Sequence, residues 1–261
     1  MKKWALFISL AFLALAGPQC GDGFNLFTVS QDISFGQQLR DEILSKPQEY
    51  PVIPRAQAPE AYAFVDELRT LLLQTGEIKY AETFAWEIYL VRDDAVLNAF
   101  CAPGGYIFIY TGLIKYLDST HELLGVLAHE MAHADERHST AQLTKAYGIQ
   151  LLTDILLGEN QQELGQIATG LIGLEFSRAD EREADARSVS YLCATSFRAD
   201  GASGFFAKLI AEEANPQIPT FLSTHPDPGN RVQDIQNQKQ TLGCQGEDTG
   251  DADYAAFKAL F

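Results

Sequence analysis

The chain has 261 residues, 46% of them hydrophobic and 11% aromatic, enough to bury one sizeable core. Nineteen basic residues against thirty-five acidic ones leave a net charge of −16, which repels nucleic acid and anionic lipid, so a nucleic-acid partner is set aside. The four cysteines include no Cys-x-x-Cys pair, which argues against a thiolate zinc site.

Met1-Lys2-Lys3 precedes an apolar run from Trp4 to Ala16 that closes on the small-x-small sequence Ala14-Leu15-Ala16. A charged start, a core of about 13 apolar residues and such an ending predict a signal peptide over residues 1–16 and an exported, periplasmic protein rather than a membrane span. A cut after residue 19 would instead leave Cys20 as an acylated lipid anchor. Gln19 departs from the small residue usual before such a cysteine, so both readings stand. With Cys20 lost or lipidated, three cysteines remain, and an oxidising compartment favours one bridge plus one buried thiol. We pair Cys193 with Cys244 and leave Cys101, in the apolar "NAFCAP" stretch, as the thiol.

Further along, a short helix is expected from Ser34, then an extended connector over residues 47–59, which carry four prolines. From Glu60, apolar residues at 61, 64, 65, 68, 71 and 72 predict a helix closed by Gly76. Residues 86–91, "WEIYLV", and the stretch from Tyr106 that follows Gly104-Gly105 predict strands. Ser119 with Glu122 marks the start of another helix. Residues 141–176 predict two helices broken near Gly158, with Asp154 and Gln166 interrupting their hydrophobicity too often for a bilayer. A capped helix from Ser177 and another from about Ser203 follow, and after Gly243 the chain turns acidic and then apolar.

Within residues 123–139, "LLGVLAHEMAHADERHS", His129 and His133 lie four apart and so share a helical face. Such a pair can offer two imidazole nitrogens to one tetrahedral metal. Glu130, offset by about 100°, is turned from the ligand face toward the water a metal would acidify, where it can serve as general base. The same polar residues would also suit a solvated helix face, but the apolar "LLGVLA" leading into them favours burial. Glu136 and Ser139 stand where a metzincin needs glycine and histidine, so that subclass is excluded. His138, about 140° around from His133 on a continuing helix, is assigned to the surface. A third ligand must come from elsewhere, and "SRADEREAD", residues 177–185, is the densest acidic cluster on a predicted helix. Glu181 and Asp185 share one face and Glu183 another; spacing alone leaves Glu181 and Glu183 open as ligands, and a helix covered in ion pairs open as the alternative.

These motifs in order, "NAFCAPGGYIFIYTGLI", "HEMAH", "SRADEREAD" and "THPDPGNRV", resemble the M48 peptidases over residues 25–240, with 241–261 as a C-terminal tail. The resemblance implies an α+β, mostly helical fold: a gluzincin-type zincin with a small antiparallel sheet. It implies one Zn2+ held by His129, His133 and Glu181, with Glu130 as base and Asp185 supporting the ligands. It also implies an edge strand holding extended substrate through Asn98, Ala99, Phe100, Gly104, Gly105, Tyr106 and Ile107 by strand addition. His225 and Arg231 would stand near the zinc, the histidine restraining activity. The expected activity is that of a zinc metalloendopeptidase acting on unfolded or misassembled envelope proteins. The chain departs from members with transmembrane helices and leaves no room for the tetratricopeptide domain of others, so delivery roles tied to those parts are not carried over. A different class, a metal-stabilised chaperone-like module that holds clients without cutting, would have no use for Glu130.

Overall fold

The computed structural model describes residues 25–212, 223–226 and 228–261. The expected signal segment, its alternative end at residue 19 and Cys20 lie outside them.

Helix α1, Val29–Leu44, begins five residues before the expected Ser34. Thr28 Oγ1 accepts from Gln31 N at 3.3 Å and Gln31 Oε1 accepts from Thr28 N at 2.8 Å, a reciprocal cap that starts the helix early. The proline-rich connector then runs beside the sheet, making a bridge from Val52 to Val91 and one 3₁₀ turn, Arg55–Gln57. In α2, Pro59–Leu73, the buried Ala61, Val65, Leu68 and Leu72 form the predicted stripe. Tyr62 from the same helix donates its hydroxyl to Ile53 O at 2.7 Å and accepts Leu90 N at 3.1 Å, fastening connector and sheet together.

Three strands, β1 Glu87–Val91, β2 Ala99–Ala102 and β3 Tyr106–Tyr110, are ordered β1-β3-β2. The β2–β3 hairpin is antiparallel and turns through Gly104 and Gly105, whose φ values of 76° and 86° suit glycine. The sheet is mixed rather than wholly antiparallel, because β3 slots between β2 and β1 and so runs parallel to β1. Alternate side chains of β3 enter two different cores: Ile107 and Ile109 join one, and Tyr106, Phe108 and Tyr110 the other. Burial on both faces explains why these residues read as an unbroken apolar run.

On the first side lie α2, α3 Thr111–Tyr116, α4 Thr120–Asp135, α8 Arg178–Cys193 and α9 Gly201–Ala211. On the second lie α1, α5 His138–Tyr147, α6 Ile149–Leu156 and α7 Gln161–Ile172. Residues 141–176 thus carry a further break, at Gly148 with φ 82°, beyond the expected one near Gly158. Helix α10, Pro228–Leu242, packs on α8 and α9. Helix α11, Asp251–Lys258, buries Tyr254 and Phe257 in the first core, so the stretch set apart as a tail is built into the fold. Just before it, Thr249 O accepts from His121 N at 3.0 Å and Gly250 O from Thr120 Oγ1 at 2.8 Å. A disulfide joins Cys193 to Cys244, as paired from the sequence, and Cys101 is a free, buried thiol. Among the described residues no helix is long and apolar enough to cross a membrane.

Candidate metal centre

Ser119 Oγ caps α4 by accepting from Glu122 N at 3.3 Å, and every residue of the helix except Glu122 is buried. Such depth requires close neighbours. A Cβ on Gly125 would stand 2.2 Å from the Ala202 nitrogen, and one on Gly201 would stand 1.8 Å from the His121 carbonyl oxygen, so α4 and α9 touch backbone to backbone. Helix α8 starts at the expected place, where Ser177 Oγ accepts from Asp180 N at 3.2 Å and Asp180 Oδ2 from Ser177 N at 3.0 Å. Its face toward α4 carries Glu181 and Asp185, both buried.

One ligand atom each from His129, His133, Glu181 and His225 lies within 4.8 Å of the others, and all four residues are buried. His129 Nε2 is 3.0 Å from His133 Nε2 and 3.4 Å from His225 Nδ1; Glu181 Oε1 is 3.3 Å from His133 Nε2 and 3.1 Å from His225 Nδ1. A tetrahedron with metal–ligand bonds of about 2.0–2.1 Å has edges of about 3.3 Å. Four of the six separations are close to that edge length, and a nitrogen-rich donor set with one carboxylate suits zinc chemistry. Glu183 lies outside this group, with a half-exposed side chain.

The surroundings hold the donors in place. Asp185 Oδ1 is 3.0 Å from His129 Nδ1, and Arg231 grips the same carboxylate with Nε and Nη2, both at 2.6 Å. Arg231 also sets Nη1 2.6 Å from Glu181 Oε2, in ion-pair contact rather than an aligned hydrogen bond, and lays its guanidinium 3.9 Å above the Phe206 ring. Phe176 stacks on the His133 imidazole with ring centres 3.9 Å apart. Burial opposes a charged His129, but Asp185 and Glu181 outweigh it and lift the imidazole to about 9. Burial, helped by the charges of His129 and His138, holds His133 well below the usual histidine value against the pull of Glu181. Burial also opposes the Glu181 carboxylate, yet the charge of His225 and hydrogen bonds from His129, His133 and His225 hold its pKa well down.

Glu130 differs from its neighbours. It is fully buried, and among the described residues neither carboxylate oxygen has a hydrogen-bond partner; its ion-pair contact is His225 Nε2, 3.5 Å from Oε1. Burial pushes its pKa up. His225 thus stands between the donor group, through Nδ1, and this carboxylate, through Nε2.

Of the residues expected to hold substrate, Ala99 and Phe100 begin β2, one of the two outer strands, and Asn98 directly precedes it. Tyr110 N donates to Asn98 O at 3.1 Å, so by antiparallel alternation Ala99 and Cys101 turn their backbone groups outward. Ser139 Oγ donates to Cys101 O at 2.8 Å, and both outward-facing residues are buried. The expectation fails for the other four. Tyr106 and Ile107 belong to the central strand, bonded on both sides, and the Gly104 and Gly105 carbonyls already accept from Ala85 and Glu87 at 2.9 and 3.0 Å. The cavity that reaches Glu181 and Arg231 is only about 80 Å³, bounded by Arg178, Arg182, Pro226 and Asn230. A larger groove of about 950 Å³ between α2 and α11 touches none of the donors.

The surface assignment of His138 is overturned: the residue is 6% exposed and its Nδ1 is 3.0 Å from His133 Nδ1. The angular count assumed a helix that continues, whereas α4 stops at Asp135 and Arg137, with φ 63°, turns the chain back. No glycine marks that left-handed position, so the sequence carries no local signal for it.

A histidine pair with its glutamate on one buried helix, met by a carboxylate from a second helix, defines the chain as gluzincin-type in fold class. The model of peptidase family M48 matches residues 65–239, and the chain belongs to that family. It is 29% identical over 222 residues to a putative beta-barrel assembly-enhancing protease of Vibrio cholerae, covering 79% of this chain and 44% of that protein. It is 32% identical over 148 residues to the mitochondrial metalloendopeptidase OMA1 of Arabidopsis thaliana, covering 56% and 30%. Metalloprotease YcaL of Escherichia coli is 28% identical over 160 residues, covering 59% and 61%. The chain therefore spans less than two thirds of the length of these relatives.

Proposed function

We propose that the protein is a zinc metalloendopeptidase of the cell envelope that hydrolyses unfolded or misassembled proteins, with His129, His133 and Glu181 as zinc ligands and Glu130 as general base. The observation that carries this reading is the Glu130 carboxylate, without a hydrogen bond among the described residues, beside a buried cluster of three histidines and Glu181. A structural metal site has no need of such a group, and a buried carboxylate without partners is costly to keep. Zinc held by these residues would polarise a scissile carbonyl and lower the pKa of water toward about 7. Glu130 takes the proton of the attacking water and hands it to the leaving amine. Asp185, clamped by Arg231, fixes the His129 ring through Nδ1 and leaves Nε2 for the metal. On the outward edge of β2 the Ala99 carbonyl is offered to extended substrate added as a strand, with Asn98 and Phe100, bonded to β3, holding it in register. We assign this activity to residues 25–240, exported behind the signal at residues 1–16 or tethered through an acylated Cys20. The relatives' names support the envelope substrate class.

His225 supplies a fourth donor, and four protein ligands leave no position for water. That fourth donor favours a second reading: a metal-stabilised module that binds without cutting. In the first reading His225 is a displaceable restraint. Casein incubated with the mature chain, with Glu130→Gln and with chelator separates the two. Cleavage by the parent alone supports the peptidase; cleavage that survives Glu130→Gln sinks the mechanism. One-to-one zinc without cleavage, persisting in His225→Ala, supports the binding module. Metal analysis of Glu181→Ala beside Glu183→Ala tests the third ligand, since loss of zinc only in the latter would refute Glu181.

A further inference from the structure

The two histidines of α4 are oriented by different means. His129 Nδ1 meets the carboxylate of Asp185 directly at 3.0 Å, whereas His133 Nδ1 meets another imidazole, that of His138, at 3.0 Å. The far nitrogen of His138, Nε2, faces Glu183 Oε2 at 3.5 Å and Asp180 Oδ1 at 4.0 Å, both from the first turns of α8. His133 turns Nε2 into the donor group, so a ligating, neutral His133 carries its proton on Nδ1. That proton can be accepted only if His138 Nδ1 is bare, and His138 then carries its own proton on Nε2, the nitrogen that faces the two carboxylates.

The turn that delivers His138 is itself built. Arg137 holds a left-handed conformation, with φ 63°, that is unfavourable for a non-glycine residue. Its guanidinium pairs with the buried carboxylate of Asp32 and donates to Phe27 O, while Thr140 Oγ1 donates to the other Asp32 oxygen at 2.8 Å. Asp32 on α1 thus clamps both sides of the α4–α5 turn, and Ser139 is bonded to the edge strand.

From this geometry we infer that His138 is a positioning residue for the metal: with Glu183 behind it, it fixes the tautomer and ring orientation of His133 by accepting the hydrogen bond from His133 Nδ1. The inference rests on the reading of His133 as a metal ligand. It also gives Glu183, absent from the donor group, a role distinct from that of Glu181.

The test is zinc affinity, measured by competition with a chromophoric chelator on the chelator-stripped full chain. His138→Asn places an amide oxygen where Nδ1 stood and keeps the acceptor; His138→Leu keeps bulk and removes it. His138→Leu is expected to bind zinc about 10- to 100-fold more weakly, the usual cost of losing a supporting partner. His138→Asn should stay within a fewfold of the parent. Glu183→Ala, altering only a half-exposed side chain, is expected to weaken zinc severalfold and serves if the leucine variant does not fold. Parent-like affinity in His138→Leu, equal losses in the leucine and asparagine variants, or an unchanged Glu183→Ala beside a leucine variant that does not fold would overturn the proposal. A parent that takes up no zinc would overturn the metal-centre reading and this one with it.

Discussion

At the scale of single residues, the unpartnered carboxylate sets the strongest expectation. Glu130→Gln should cut the peptidase rate by about 10²–10⁴-fold, the range for losing a general acid–base group, while zinc content by elemental analysis stays at the parent level. His225→Ala should raise kcat/KM on casein, because it removes both the fourth donor and the contact on Glu130. The lifted His129 pKa gives a pH test on chelator-stripped protein. Its folded value of about 9 lies above the ordinary 6.5, so it contributes stability that is complete below 6.5 and lost as pH rises toward 9. The depressed His133 acts on the other side, costing stability only as pH falls below 6.5. Thermal melts of stripped protein should therefore fall between pH 6.5 and 9, and a flat profile there would show that His129 is not held as a cation. Four-residue spacing was enough to put His129 and His133 on one face. It could not choose between Glu181 and Glu183, because that depends on how α8 is rotated against α4, a tertiary fact with no local trace.

At the scale of elements, both motif-bearing helices were readable because their starts are written in polar caps. Ser177→Ala should cost about 1 kcal/mol in urea denaturation, the usual worth of such a cap. Periodicity also located α2 and strands β1 and β3. It missed β2, whose Ala99–Ala102 is short and buried on every side, and it carried His138 to the surface by assuming an unbroken helix. The contact between α4 and α9 was equally hidden, since a glycine in an apolar helix signals nothing about its neighbour. Gly125→Ala must push Ala202 away from a 2.2 Å approach, and is expected to destabilise by about 1–3 kcal/mol or more, with metal affinity reduced as α4 shifts.

At the scale of the whole molecule, the centre is assembled from distant parts of the chain: α4, α8, His225 and Arg231. The disulfide closes a span of 51 residues that contains His225 and Arg231 and joins the end of α8 to the end of α10. Loop-closure entropy for that length is about 4 kcal/mol, so reduction should lower the melting temperature markedly and weaken zinc binding. The last residues of the chain carry a separate lesson about where such a protein may be cut. Similarity to the family stops at residue 239, yet Thr249 and Gly250 still hold the first turn of α4, and Phe257 stacks on Phe64 with ring centres 4.4 Å apart. A fragment trimmed to the region of similarity would lose the half-bridge at Cys244 and the anchor of the histidine-bearing helix at one stroke. The packed structure outruns the stretch matched by the family model by about a helix, and fragments for expression should be bounded by the former.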